Sequence, residues 1–214
     1  MRLFAALCLS LCAAPLGAHP HVFVNTGLVF VVDGANHLTH VKVTWEYDEL
    51  YSLLITEDMG VDRDYDGVLN TQDIATLTGF DMNWIEGYNG DLVGSIDGTA
   101  LTLSGPTEPT ATMQDGKITT THLRRIEGAP VVQGPVTFSP YDGSFYSAYD
   151  VELPVQVEGR TDCDIAVDVP DAQALALTKA EVAALPEDFD MEAAGLGNIG
   201  ERFATKVTLT CETQ

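Results

Sequence analysis

Four aspartates and one glycine are crowded into a twelve-residue segment whose spacing is that of a calcium-binding loop. Asp62, Asp64, Asp66, Gly67 and Asp73 follow the order D-x-D-x-D-G-x-L-x-x-x-D. A hard dication such as Ca²⁺ takes six or more oxygen ligands, and the EF-hand loop supplies them at these spacings, with glycine at the sharp turn. The segment therefore predicts a calcium site. The alternative is an acidic, solvated loop that matches by chance.

The predicted calcium ligands are all oxygen donors. They are the side chains of Asp62, Asp64, Asp66, Asn70 and Asp73 and the backbone carbonyl of Val68. Asn70 would bind directly or through a water molecule. EF-hand loops usually close with glutamate, whose longer side chain reaches the ion with both oxygens, whereas Asp73 is one methylene group shorter. We therefore expect weaker calcium binding, or tolerance of magnesium.

The N-terminus is typical of a secretory signal peptide. Arg2 supplies a positive start, an apolar run covers residues 3–16, and Gly17 and Ala18 precede a polar change at His19. The run is too short to span a bilayer, and no later run reaches that length. We expect cleavage after Ala18, export, and a protein that is not itself embedded in the membrane. The expected domains are a signal peptide over residues 1–18 and a single domain over residues 19–214.

Cleavage after Ala18 would create a second candidate metal site. The mature chain would begin His19-Pro20-His21, and alternate residues of an extended segment point to one side, so both imidazoles and the free amine could converge. Such nitrogen ligands suit zinc, copper, nickel or cobalt rather than calcium. In a hairpin with a turn of two or four residues, His21 would face Glu46 or Asp48. The alternative is a solvated terminus without a ligand.

Composition excludes some classes of function. The formal net charge is -22, and it becomes -23 once Arg2 leaves with the signal peptide. Such an excess of carboxylates repels nucleic acid and attracts cations, so we expect no nucleic-acid binding. After export only Cys163 and Cys211 remain, and in an oxidising compartment such a pair predicts a disulfide. A two-thiolate metal site is the alternative.

The N-terminal half of the expected mature domain predicts a β-hairpin followed by two helices. Residues 22–47 alternate between apolar and polar around a turn at residues 33–36. A helix over residues 48–56 would carry Leu50, Leu53 and Leu54 as an apolar stripe and lead into the acidic loop. A second helix over residues 71–86, capped by Asn70, would follow the acidic loop. Residues 48–87 thus predict an inserted EF-hand-like helix-loop-helix.

The C-terminal half predicts short strands. Two Asp-Gly pairs mark hairpin turns. Strands are expected over residues 92–96, 99–103, 117–123, 136–139, 147–155, 163–169 and 204–211. Thr178 and Glu181 would open a short helix that ends before Pro186. The predicted fold class is mainly β (α+β), a β-sandwich-like domain carrying the inserted helix-loop-helix.

The chain resembles a bacterial periplasmic family known as domain of unknown function 1007. Five segments carry the resemblance: residues 19–24, 45–49, 62–73, 141–146 and 200–211. Members of this family look like accessory proteins of membrane permeases of the nickel/cobalt type, and some are implicated in zinc acquisition. The resemblance implies a periplasmic metal-binding protein whose partners are metal ions and such a permease.

The expected function is therefore capture or delivery of a transition metal, zinc before copper or nickel, with calcium in the acidic loop as a structural ion. His37, His40 and His122 receive no role. We expect no enzyme, because no nucleophile constellation or separate acid/base pair of carboxylates stands out. Two alternatives remain: a calcium-stabilised interaction module without a transition metal, and a copper enzyme built on an N-terminal histidine.

Overall fold

The computed structural model describes residues 20–183 and 198–212. Eleven strands and four helical segments make up this part of the chain. In chain order they are β1 Val22–Val32, β2 Leu38–Tyr47, α1 Glu49–Met59, α2 Thr71–Leu77, β3 Leu92–Ile96, β4 Thr99–Ala100, β5 Thr107–Gln114, β6 Lys117–Arg125, β7 Val136–Pro140, β8 Ser147–Asp150, β9 Val155–Glu158, β10 Cys163–Asp168, α3 Ala172–Ala183, a 3-10 helix Ile199–Phe203 and β11 Lys206–Cys211.

The strands form two sheets. One has six strands in the order β5-β6-β2-β1-β8, with β9 pairing farther along β1, and the other has five strands in the order β10-β11-β7-β3-β4. Both sheets contribute to one hydrophobic core, in which Phe30 of β1 and Phe138 of β7 lie with ring centroids 5.0 Å apart. The predicted mainly β fold is confirmed, and it is built on two sheets.

The first hairpin forms as its alternation predicts. Val24, Leu28 and Phe30 of β1, like Val41 and Val43 of β2, are buried on one face of the pair. Burial of alternate apolar side chains against a second sheet is the main stabilising term for such a hairpin. This face of the six-stranded sheet is therefore part of the core.

The prediction of one continuous strand over residues 147–155 is wrong. The structure divides it into β8 and β9, which pair in parallel with two successive parts of β1. The break falls where Leu153 and Pro154 cross Gly27, at which an added Cβ would lie 3.0 Å from the Leu153 Cβ and 3.1 Å from the Pro154 carbonyl oxygen. The Leu153 amide still donates to the Thr26 carbonyl and the Leu28 amide to the Pro154 carbonyl, both at 3.3 Å. Two extra residues lie on this side between the Asn25–Asp150 and Leu28–Val155 pairs, so the regular ladder is interrupted.

Helix α1 is present close to its predicted position. Asp48 caps it, accepting a hydrogen bond of 2.9 Å from the Tyr51 amide. The stripe of Leu50, Leu53 and Leu54 is exposed to solvent, and the buried side chains are Ser52 and Thr56. Tyr51, Ile55 and Met59 pack partly against the core.

The other two helices differ from expectation in length. Helix α2 begins as predicted after its cap Asn70, but it ends at Leu77 rather than Glu86. Its C-cap Thr78 is extended, and Gly79 follows with a left-handed φ of 81°, so the chain leaves the helix here. Helix α3 begins six residues before the predicted start at Thr178, where Asp171 accepts a hydrogen bond from the Gln173 amide. The predicted end before Pro186 lies outside the described residues, as do the signal peptide and His19.

The predicted disulfide between Cys163 and Cys211 is present. The two residues are direct partners in the antiparallel pair of β10 and β11. The bond therefore joins the C-terminal strand to the edge strand of the five-stranded sheet.

Candidate metal-binding loop and N-terminal segment

The acidic loop connects α1 to α2. Gly60 ends α1 in the left-handed conformation, and the loop begins one residue after the buried Val61. Ligand oxygens of Asp62, Asp64 and Asp66 lie within 4.8 Å of one another. Within residues 20–183 and 198–212, no other three acidic, histidine or cysteine side chains lie close enough together to share one ion.

Local hydrogen bonds fix the carboxylates at the two ends of this group. The Gly67 amide donates to both carboxylate oxygens of Asp62 at 3.3 Å, and the Val68 amide donates to Asp66 Oδ1 at 2.8 Å. Asp62, Tyr65 and Gly67 have left-handed φ values of 48°, 55° and 74°, so the backbone folds back tightly on itself. Leu69, the hydrophobic eighth residue of the loop, packs against the core and anchors the exit.

Asn70 and Asp73 are engaged differently from the three clustered aspartates. Asn70 Oδ1 accepts from the amides of Gln72 and Asp73, at 2.8 and 3.1 Å, and Asp73 Oδ2 accepts from the Asn70 amide at 3.3 Å. This reciprocal pair is a capping box, which stabilises the start of α2. Asp73 does not belong to the close carboxylate group, in keeping with its short side chain.

The electrostatics of the loop favour a bound cation. Two like unit charges about 4 Å apart repel by about 1 kcal/mol even in bulk water, and three carboxylates make three such pairs. The neighbouring cation Arg63 donates from its Nε to the Gly60 carbonyl at the end of α1, at 2.9 Å, and its single positive charge is less than the three negative charges of the aspartates. The donor set is all oxygen, and it fits a hard dication.

The N-terminal segment enters the fold beside β8. The His21 amide donates to the Tyr146 carbonyl at 2.8 Å, and the His21 and Tyr146 ring centroids lie 4.8 Å apart. His21 is exposed. The second predicted imidazole, His19, lies outside the described residues, so the convergence of the two rings is still a prediction.

The predicted register of His21 against the second strand is wrong. Asn25 lies opposite Glu46, and Phe23 exchanges hydrogen bonds with Asp48, so His21 lies two residues beyond Asp48. The cause is a five-residue connection between β1 and β2 together with a bulge at Val31/Val32, where a turn of two or four residues was expected. Each added residue moves the register of an antiparallel pair.

Both carboxylates proposed to complete the N-terminal site already have partners. Glu46 Oε1 accepts from Asn25 Nδ2 at 3.1 Å and lies 3.5 Å from Lys117 Nζ. Asp48 accepts from the Phe23 amide through Oδ2 and from the Tyr51 amide through Oδ1. Neither residue is brought opposite His21.

A buried polar cluster that the sequence analysis missed lies on the inner face of the six-stranded sheet. His122 of β6 is 1% exposed, and its ring lies 4.7 Å from that of Trp45 and 5.5 Å from that of Trp84. Neither ring nitrogen has a hydrogen-bond partner within the described residues. Burial, together with the nearby charge of Arg124, lowers the pKa of His122 to about 3.

Two half-buried carboxylates, those of Asp81 and Asp91, lie near this cluster. Asp81 Oδ2 accepts from Tyr47 at 2.8 Å and from Thr120 at 2.7 Å, and burial raises the pKa of its carboxyl group. Asp91 Oδ2 accepts from the hydroxyls of Tyr88 and Tyr149, and burial raises its pKa to about 6. In β6 every second residue from Ile118 faces inward, but these residues are Ile118, Thr120, His122 and Arg124, so no apolar alternation in the sequence marked this face.

Comparison with known proteins identifies a family to which the chain is similar. A family model described as "Protein of unknown function (DUF1007)" matches residues 4–211. No curated protein matches the chain. Within the described residues, no helix has the length and apolar character needed to cross a membrane.

Proposed function

The chain belongs to this DUF1007 family, and we propose that it is a periplasmic metal-binding accessory protein for transition-metal transport. In this proposal a calcium ion in the loop between α1 and α2 stabilises the fold. A transition metal, zinc in the first instance, is captured at the mature N-terminus and passed to a membrane permease of the nickel/cobalt type. The protein exchanges metal and performs no catalysis.

The observation that carries the calcium part of this proposal is the close carboxylate group of Asp62, Asp64 and Asp66 between two helices. Asp62 and Asp66 are oriented by amides of the same loop, and those hydrogen bonds leave lone pairs of Asp62 and the second oxygen of Asp66 available. Val68 would add its carbonyl. Asn70 would bind through water, because its side-chain oxygen caps α2. Asp73 would contribute at most one oxygen, so we expect a calcium affinity below that of a loop closed by glutamate.

Calorimetry on a charge-neutralised loop tests the calcium proposal. In the double variant Asp62→Asn, Asp66→Asn, each new amide oxygen can still accept the loop hydrogen bonds, and asparagine tolerates the left-handed backbone at residue 62. We expect one calcium-binding event in the wild type and none in the variant. The matched control is Asp115→Asn, an exposed aspartate with a left-handed φ of 51° in the β5–β6 turn, which should bind calcium as the wild type does. Undiminished calcium binding in the double variant would remove the assignment.

The transition-metal part of the proposal rests on the mature amine and the imidazoles of His19 and His21. Glu46 and Asp48 could contribute only by giving up hydrogen bonds that hold β1, β2 and α1. A metal bound here would thus depend on the nitrogen ligands and on water, a set that suits zinc or copper. Lengthening the N-terminus by one residue should weaken zinc binding, because it displaces the amine from His19.

A second candidate function is a calcium-stabilised interaction module without a transition metal. It is favoured by the engagement of Glu46 and Asp48 in structural hydrogen bonds. Metal analysis of the purified protein separates the two candidates, because the module would carry calcium and no stoichiometric zinc, copper or nickel.

A further inference from the structure

Helix α1 presents its apolar side chains to solvent. Leu50, Leu53 and Leu54 are 65%, 44% and 55% exposed, while the buried positions of the same helix are Ser52 and Thr56. Leucines at i, i+3 and i+4 lie on one face of a helix. A helix normally turns such a face toward the core, so its exposure in α1 calls for a physical cause.

The cause is a set of contacts that fixes the rotation of the helix. Ser52 Oγ accepts a hydrogen bond of 2.9 Å from the Ile118 amide of β6, and its hydroxyl donates to the Tyr47 carbonyl at 3.4 Å. These polar atoms are buried, and leaving the Ile118 amide unpaired would cost about 1–3 kcal/mol. Tyr51 and Ile55 on the same side pack against the core. The helix therefore cannot turn its leucines inward without breaking buried contacts.

The exposed leucine face continues toward β1. Leu50 and Phe23, which is 51% exposed, line one surface groove beside Tyr47 and Asp48. Exposed apolar side chains that are grouped and rimmed by polar ones mark interaction sites more often than scattered single residues do. We name Phe23, Leu50, Leu53 and Leu54 the α1 face.

Acidic side chains surround the α1 face. Glu49, Glu57 and Asp58 of the same helix are exposed, and Glu57 lies one turn beyond Leu53 and Leu54 on the leucine side. The cation beside the groove, Lys117, is already paired with Glu46 at 3.5 Å. With a formal net charge of -22 on the chain, a second copy or an anionic lipid surface would meet like charge here.

We propose that the α1 face docks an amphipathic segment of a partner protein, one whose leucine-like side chains cover Leu50, Leu53 and Leu54 and whose lysines or arginines pair with Glu49, Glu57 and Asp58. Apolar contact supplies most of the affinity, and the acidic rim steers the partner and selects its charge. This inference rests on the proposed function only in taking the protein to be an accessory of another protein. It does not require either metal site.

A defined peptide provides the test. The probe is a fluorescein-labelled amphipathic helix of leucine and lysine, and its comparison peptide has glutamate in place of every lysine. Fluorescence anisotropy should show the lysine peptide binding to the purified protein and the glutamate peptide failing to bind. The triple variant Leu50→Ser, Leu53→Ser, Leu54→Ser should weaken binding by about tenfold or more, because it removes three apolar side chains that the bound peptide would cover.

Matched variants guard against general stickiness and misfolding. Val167, Val169 and Leu177 are also exposed apolar residues but lie in or near β10 and α3, and their triple serine variant should bind the lysine peptide as the wild type does. A rim variant, Glu49→Gln, Glu57→Gln, Asp58→Asn, should weaken binding and reduce its dependence on salt. Circular dichroism and a retained disulfide show that each variant is folded.

Several results would overturn the proposal. Equal peptide binding by the leucine variant would do so, and so would equal losses in both serine variants. A dimer in sedimentation equilibrium that disappears only in the leucine variant would assign the α1 face to self-association. Leucine-dependent binding to phosphatidylcholine vesicles without binding of the peptide would assign it to a membrane surface. If the wild-type protein bound neither calcium nor zinc but still bound the lysine peptide, the proposed function would be refuted and the docking surface would stand.

Discussion

Asp91 makes the stability of this protein depend on pH in a direction opposite to that of a salt-bridged carboxylate. Its Oδ2 accepts hydrogen bonds of 2.6 Å from Tyr88 and 2.8 Å from Tyr149, but burial outweighs these contacts and raises its pKa to about 6. In the unfolded chain the pKa of aspartate is about 4. Between these two values the folded state holds a proton that the unfolded state has lost, so the free energy of unfolding falls as pH rises.

The magnitude follows from the two pKa values. Each tenfold difference in proton affinity is worth about 1.4 kcal/mol, and the separation is about two such steps. Asp91 keeps some contact with solvent, so we expect the free energy of unfolding to fall by about 2 to 3 kcal/mol between pH 4 and pH 7 through this group. The fall is complete only about one pH unit above the folded pKa of about 6, near pH 7.

The substitution Asp91→Asn removes this dependence with little change in shape. Asparagine accepts the same two tyrosine hydrogen bonds and tolerates the left-handed φ of 48° at this residue. Urea denaturation at pH 4 and pH 7 measures the effect: relative to wild type, the variant should gain about 2 to 3 kcal/mol on going from pH 4 to pH 7. Asp115→Asn, exposed with a φ of 51°, is the matched control and should show no such gain. The reasoning fails if the difference between wild type and Asp91→Asn is the same at both pH values.

Two further stability predictions rest on the covalent link and the backbone. Replacing Cys163 and Cys211 together by serine should lower the free energy of unfolding by about 4 kcal/mol, from the chain entropy of a loop with a separation of 48 residues, and a loss below about 1 kcal/mol in urea denaturation would contradict this. Gly159→Ala should lower the free energy of unfolding more than Gly98→Ala does. Both glycines have positive φ, but a new Cβ at Gly159 would lie 1.8 Å from the Val32 carbonyl oxygen, whereas a Cβ at Gly98 would meet open space. We expect the free energy of unfolding to fall by about 1 kcal/mol for Gly98→Ala and by at least about 2 kcal/mol for Gly159→Ala. Equal losses in the two variants would show that the contact with Val32 relaxes freely.

Local patterns in the sequence predicted the elements that depend on neighbouring residues. The alternation of Val24, Leu28 and Phe30 gave β1, and Asn70 marked the start of α2. The Asp-Gly turn at Asp97 joins β3 to β4 as expected, because adjacent left-handed residues suit a two-residue hairpin. Such signals are short in range and need no knowledge of the partner strand.

Features that depend on distant partners could not be predicted. The leucines of α1 obey the rule for a buried face, but the hydrogen bond from the Ile118 amide to Ser52 fixes the opposite rotation. The predicted register of His21 failed because the five-residue connection and one extra residue of β2 at the bulge, Thr39, shift every pair beyond them. His122 sits among aromatic rings from β2 and from the segment after α2, and its own strand gives no sign of that arrangement.

Metal content of the protein with its native N-terminus tests the central claim most directly. The protein is purified after export, its first residue is determined, and bound calcium, zinc, copper and nickel are measured by mass spectrometry. Two variants are treated in the same way: His19→Ala, His21→Ala and Asp62→Asn, Asp66→Asn. We expect His19 as the first residue, zinc lost only in the histidine variant, and calcium lost only in the aspartate variant. A different first residue, or equal transition-metal content in the wild type and the histidine variant, would contradict the N-terminal metal site.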